Sequence, residues 1–278
     1  MNTFLANLRI QQCVVASSAM LITMPAWSGA TGLARGKSSA PRPSLSWIQG
    51  QGAGAPQFPQ GHNAQLKVYG KTYGEWAAEW EKWKEAGTLD RNAIEDTTGK
   101  NCGLNQPKEG IWFLAGTFGG IVNRSCTIPN GRALFYPLVE FGWIDCPGTP
   151  DEQLTDAQVR GILAGGIDLA CQITSTLDGV AIASLQVLTA RTQSPKFTGT
   201  LPANSVMSDK AGCPTPLPPG KTGRQSTDGY WVVLPPLSPG KRTVTLHGAL
   251  CDFSNPTSGK VIFETGVTYN LTVHKRSW

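Results

Sequence analysis

The sequence predicts a mainly β fold with α additions: an antiparallel β-sandwich, jelly-roll-like, carrying two helices. Three observations lead there. Many short apolar or alternating segments are separated by turn residues, only two segments carry a helical period, and the composition is turn-rich. The 278 residues hold 32 Gly and 20 Pro, about 19% together, above the usual level of about 12% yet below the roughly 25–30% of low-complexity chains. Charged residues make up only 15%, too few for a coiled coil.

Residues 1–30 follow signal-peptide grammar: a start containing Arg9, an apolar stretch from Cys13 to Ala26, then the small residues Ser28-Gly29-Ala30. The apolar run is shorter than the roughly 18–20 residues a bilayer span requires. Residues 31–66, rich in Gly, Pro, Ser, Gln and Ala without apolar period, read as a disordered linker. The remainder, 67–278, is expected to be one disulfide-stapled β-rich domain.

The first helix is announced by Thr72-Tyr73-Gly74-Glu75, a capping-box pattern. Tyr73, Trp76, Trp80 and Trp83 recur on one helical face, and Gly87 supplies a stop. Glu75, Ala78, Glu81, Lys82 and Glu85 fall on the opposite face, which is expected to meet water. Strands are predicted at Ile111–Gly116, Asn123–Ile128 and Ala133–Ile144, the last disturbed at Pro137 and Gly142 in a way that suggests a bulge or an edge. Pro129-Asn130-Gly131 is a turn. Thr155-Asp156-Ala157-Gln158 opens a second helix, expected to reach about Thr174 with Gly165 and Gly166 weakening it. Further strands fall at 179–188, at Tyr230–Leu234, around Val244 to His247, and at Val267–Val273, with a long connection over 193–227.

Removing the leader takes Cys13 and leaves Cys102, Cys126, Cys146, Cys171, Cys213 and Cys251. An even number in an exported chain predicts three disulfides, six buried thiols being the alternative. Short loops favour Cys102–Cys126, Cys146–Cys171 and Cys213–Cys251. The expected setting is secreted or periplasmic, with no transmembrane segment in the mature chain.

The net charge of +5 sits largely outside the domain. Arg9, Arg35, Lys37 and Arg42 precede residue 67 and no acid does, so 67–278 carries only +1. Without a basic footprint, a nucleic-acid partner is not expected. No zinc spacing, P-loop, dinucleotide fingerprint or serine-hydrolase elbow occurs, and neither a metal nor another cofactor is expected.

The strings YGEWAAEWEKW (73–83), WFLAGTFGG (112–120), RSCTIPNGRALFYPLVE (124–140), DGYWVVLPPLSPGKRTVTLHG (228–248) and VTYNLTV (267–273) resemble a family of uncharacterised secreted bacterial proteins. The resemblance spans most of 70–273. It implies an exported bacterial setting and carries no functional assignment onto these positions.

Two functional classes compete. The first is a binding or envelope-associated protein, recognising a glycan or another surface partner. Tyr73, Trp76, Trp80 and Trp83 are its candidate binding residues, because aromatic platforms stack on sugars; the alternative is that these rings lock the helix onto a sheet. The second is a carboxylate-dependent, glycosidase-like hydrolase. Its candidates are Glu140 with Asp145, a pair on opposite strand faces unless a bulge intervenes, and His247 with Glu264 across a hairpin. Asp90, Asn92, Glu95 and Asp96 form an oxygen-rich loop that departs from the EF-hand pattern and reads as a solvated turn.

Overall fold

The computed structural model describes residues 67–182, 191–252 and 259–274. The expected leader and linker, and strand positions 183–188, lie outside the described residues.

Lys67–Val68 (β1) and Lys71–Thr72 (β2) form a two-stranded hairpin leading into the helix Tyr73–Glu85 (α1). Thr72 is its N-cap: the Thr72 hydroxyl accepts from the Glu75 N–H, and the Glu75 carboxylate accepts from the Thr72 N–H at 2.7 Å, the reciprocal box the sequence announces. The chain continues through Ile111–Phe113 (β3), Gly120–Ile128 (β4), Ala133–Ile144 (β5), the helix Asp156–Ile167 (α2), Ala170–Leu177 (β6), Val180–Ala181 (β7) and Arg191–Gln193 (β8). It ends with Thr200–Leu201 (β9), the single turn Met207–Lys210 (α3), Gly220–Lys221 (β10), Gln225–Leu234 (β11), Gly240–Asp252 (β12) and Lys260–Val273 (β13).

Two sheets form the sandwich: a four-stranded sheet in the order β3-β5-β11-β8, and a five-stranded sheet in the order β4-β13-β12-β6-β7. They are mixed rather than purely antiparallel, because β3 runs parallel to β5 and β4 parallel to β13. The reason lies in the turn at 129–131. Strands β4 and β5 flank it but belong to different sheets, so Gly131, at φ +81°, serves a corner between layers instead of a hairpin.

Period-two alternation fills the space between the layers. Leu134, Tyr136 and Leu138 of β5 and Val232 and Leu234 of β11 meet Val244 and Leu246 of β12 and Val267, Tyr269 and Leu271 of β13. Each such side chain contributes about 1.5–3 kcal/mol when fully buried. One polar bridge crosses this core, with the Tyr136 hydroxyl 2.9 Å from Ser175 Oγ, which donates to the Thr245 carbonyl at 2.8 Å. The layers approach closely at Gly248, where any side chain would collide with the Leu138 carbonyl and Val139.

The expected disturbance near Pro137 is a bulge. Tyr230 pairs with Val139 and Trp231 with Pro137, leaving Leu138 unmatched. Its consequence is a change of phase: before it Ala133 and Phe135 face α1, and after it Glu140 does so.

Helix α2 stops at Ile167, short of the expected Thr174, because β6 begins at Ala170 and pairs with β12. Helix α2 packs Val159 and Leu163 against Trp143, and Gly166 lies so close to Phe141 that a side chain would strike the ring. Three disulfides form. Cys102–Cys126 is as expected, whereas the other two join Cys146 to Cys213 and Cys171 to Cys251, correcting the short-loop pairings. Strand adjacency decides the last of these, since β6 and β12 lie side by side. Among the described residues no helix is long and apolar enough to cross a membrane.

Candidate functional site

The aromatic face of α1 is buried. Trp76, Trp80 and Trp83 are 7%, 1% and 8% exposed, and Tyr73 is half-buried. The rings pack on Ile111, Phe113, Phe135 and Trp231, the outer face of the four-stranded sheet. Each indole also donates a hydrogen bond to a different segment: Trp76 to the Val68 carbonyl at 2.7 Å, Trp80 to Leu114 at 3.0 Å and Trp83 to Leu104 at 2.8 Å. Tyr73, Trp76, Trp80 and Trp83 therefore fasten the helix and offer no platform to a ligand, which corrects the recognition reading of this face.

Much of the flank expected to meet water is buried as well, while Glu75 is exposed and Lys82 half-buried. Ala78, Glu81 and Glu85 are 4%, 3% and 1% exposed, and Lys84 is 4%. The ends of β5 and β11 run past the aromatic patch and cover this flank with polar positions. Lys84 Nζ lies 2.5 Å from Glu81 Oε2 and 3.4 Å from Glu140 Oε1, and 5.2 Å from the centre of the Trp80 ring. Thr227 donates to Glu140 Oε2 at 3.3 Å, and Gln225 donates to Glu85 Oε2 at 3.0 Å. Glu81 Oε1 is buried and takes no hydrogen bond among the described residues. Opposite it stands Gly142, whose missing side chain leaves a gap bordered by Glu81 Oε1 and Glu140 Oε2, each 3.6 Å from where a Cβ would be.

Electrostatics follow from burial and charge count. Burial, then the repulsion of Glu140, raises the Glu81 carboxyl well above the ordinary range. Burial also raises Glu85, opposed by the Gln225 hydrogen bond. Burial alone would depress the Lys84 ammonium, but Glu140 and Glu81 outweigh it and hold Lys84 protonated. A carboxyl pair of this kind can store and exchange a proton.

Asp145, the expected partner of Glu140, joins a different network. It accepts from Arg224 at 3.0 Å and from the Trp143 indole at 2.8 Å, so the structure does not assemble the proposed Glu140–Asp145 pair. His247 and Glu264 do meet, with Nε2 2.8 Å from Oε1. The direct partner of His247 in β13 is Gly266, so Glu264 is its diagonal neighbour.

This second pair belongs to the outer face of the five-stranded sheet. Thr176, Thr245, Thr268 and Asn123 lie side by side across β6, β12, β13 and β4. Thr174, His247, Gly266 and Ile121 form the next row, and Thr243, Asn270 and Ser125 another. Asn123, Ser125, Thr127, Thr174, Asn270 and Thr272 are exposed. The inward positions of the same strands are largely apolar; beside the polar Ser175 and Thr265, one charged residue that sequence reading missed points inward. Arg124 is 1% exposed and donates to the carbonyls of Ile94, Asp96, Ala115 and Gly116 and to the Tyr269 hydroxyl at 3.0 Å. It shares the inward phase of Cys126 and Ile128, the signal that could have found it.

The oxygen-rich loop is self-satisfied. Asp90 accepts from Thr88, the Asn92 side chain accepts from Ile94 N–H, Glu95 pairs with Lys210, and Asp96 accepts from Thr98 and Asn101. Among the described residues no group of three or more His, Cys, Asp and Glu is arranged to hold a metal ion. Two depressions of about 210 and 200 Å³, open solvent included, are lined by Trp83, Lys84, Asn92 and Leu104, and by Asp156, Arg160, Lys196 and Arg224. Both fall short of the roughly 300–1,000 Å³ of ordinary small-molecule sites. Compared with known proteins, the chain matches no family model, no curated protein and no solved structure.

Proposed function

We propose that this chain is an exported binding or envelope-associated protein, secreted or periplasmic, whose recognition surface is the outer face of the five-stranded sheet and whose ligand is a glycan. The observation that carries the reading is the composition of that face: rows of Thr, Ser and Asn across four strands, exposed on β4, β6 and β13 and half-buried on β12, with Ile121 and the His247–Glu264 pair at one end. Hydroxyl and amide groups donate and accept in either direction, which suits a polyhydroxylated, uncharged ligand. The three disulfides support an oxidising compartment. The near-neutral domain gives no support to a nucleic-acid partner.

The test is a glycan array run beside a panel of glycosidase substrates. Asn123→Arg and Asn270→Arg place long side chains on the exposed face without touching the core, and each is expected to weaken glycan binding at least tenfold, about 1.4 kcal/mol, while the thermal midpoint stays in place. Binding indifferent to both substitutions would remove the face from the account.

The second reading, a carboxylate-dependent hydrolase, is favoured by one observation, the raised carboxyl of Glu81 beside Glu140 and Lys84. Glu81 takes the place that Asp145 was expected to fill. Neither of the two depressions is lined by Glu81 or Glu140, although Lys84 lines the first. Turnover of any panel substrate, abolished by Glu140→Gln or by His247→Ala, would reverse the order of the two readings.

A further inference from the structure

Three carboxylates surround one ammonium beneath α1. The Glu81 and Lys84 side chains are each 4% exposed and Glu140 is 18%. Fully ionised, the site holds two uncompensated negative charges. The packed elements bring little to offset them: β11 presents the neutral Gln225 and Thr227, Gly199 before β9 lies against Glu85, and Lys82, on α1 itself, turns to Glu79 at 3.4 Å and attracts only Glu85. Excess charge out of water is removed by protonation rather than tolerated. The position of that proton is marked by Glu81 Oε1, the one cluster oxygen that is buried without a partner, facing with Glu140 Oε2 the gap at Gly142.

We propose that this cluster is a proton-operated latch: the Glu81 carboxyl holds a proton while α1 lies on the sheet, and releasing that proton to water as the pH rises loosens the helix. The inference is independent of what the opposite sheet binds. The step breaks only the carboxyl O–H bond, and the new carboxylate then faces Glu140 and Glu85 with Lys84 the one cation in contact with the cluster. The sign follows from linkage. An acid whose folded-state proton affinity is raised, as burial and Glu140 raise that of Glu81, stabilises the closed state fully below its unfolded pKa; that contribution disappears as pH rises through the folded value. The latch is therefore closed in acid and loosened in alkali. What it exposes on loosening is apolar, the Phe113, Phe135 and Trp231 surface now under the three indoles.

Hydrogen exchange of the Trp80 indole N–H, which donates to the Leu114 carbonyl at 3.0 Å, reports the opening. Glu81→Gln keeps the shape of the protonated side chain and removes the titration. Measured on the wild type and on this variant from pH 5 to pH 9, the ratio of exchange rates cancels the intrinsic pH dependence. The ratio is expected to rise with pH, approaching about tenfold per unit between the unfolded and folded values for one linked proton. A ratio that stays flat over the range, or falls, overturns the latch. Should Glu81→Gln fail to fold, Glu140→Gln serves instead. It relieves the repulsion on Glu81 in the folded state alone, so the rise should begin at the same pH and end sooner; a profile identical to wild type overturns the proposal equally.

Discussion

Helices α1 and α2 begin alike and end differently. Both open on a threonine N-cap with a reciprocal Glu or Gln three residues on, and they run 13 and 12 residues. Helix α2 then buries one narrow stripe, Val159, Leu163, Gly166 and Ile167, and leaves its charged residues in water. Helix α1 buries its aromatic stripe and also the flank bearing Glu81, Lys84 and Glu85. The contrast teaches that charge on a helix does not by itself mark the solvent side. What decides is the surface that the flank meets, and the flank of α1 meets Glu140, Thr227 and Gln225, side chains able to answer it.

Substitutions at matched positions turn this contrast into measurements. The largest effect is expected at Lys84→Met, which leaves the carboxyl groups of Glu81, Glu85 and Glu140 without the cation among them. Urea unfolding near pH 8 should show a loss of about 3–5 kcal/mol, shrinking toward pH 5 as the carboxyls take up protons. A loss under about 1 kcal/mol, the size of a surface pair, would mean that the flank is hydrated after all. Next comes a pair within α2. Gly166→Ala drives a methyl into the Phe141 ring and should cost about 1–3 kcal/mol. Gly165→Ala meets open space and should stabilise by about 0.8–1 kcal/mol.

The caps sharpen the comparison from the other side. Thr72→Ala and Thr155→Ala should each cost about 1 kcal/mol, because the two boxes are the same local structure irrespective of what each helix later buries. Unequal costs in thermal melts would show that the cap of α1 is coupled to the cluster below it. Smallest of all is Lys196→Ala, which removes an ion pair with Asp156 at 2.9 Å between side chains 67% and 48% exposed. It should leave the melting midpoint unmoved.

The boundary between what the sequence disclosed and what it hid follows from the range of the interactions. Caps are local, so both helix starts were legible from four residues each. Strand alternation is local too, and it placed His247 on the outward phase from which it reaches Glu264. The end of α2 was missed because Ile167 and Ala170 continue the apolar helical spacing, and only pairing with β12 turns Ala170–Leu177 into a strand. The pairings of Cys146 and Cys171 were missed for a similar reason, since their partners lie 67 and 80 residues away and are delivered by the tertiary structure. The buried flank of α1 was the least legible feature. Glu81 looked solvent-facing on a helical wheel, and its burial depends on a bulge at Leu138 that redirects Glu140, far along the chain, toward it.

The central claim is that Glu81 carries a proton inside the folded protein. Carbon-13 NMR of its side-chain carboxyl, followed across pH in the folded chain and again in urea, tests this directly. The account predicts that in the folded state the Glu81 resonance keeps its protonated position well above the pH at which it titrates when unfolded. Titration at the same pH in both states would contradict it.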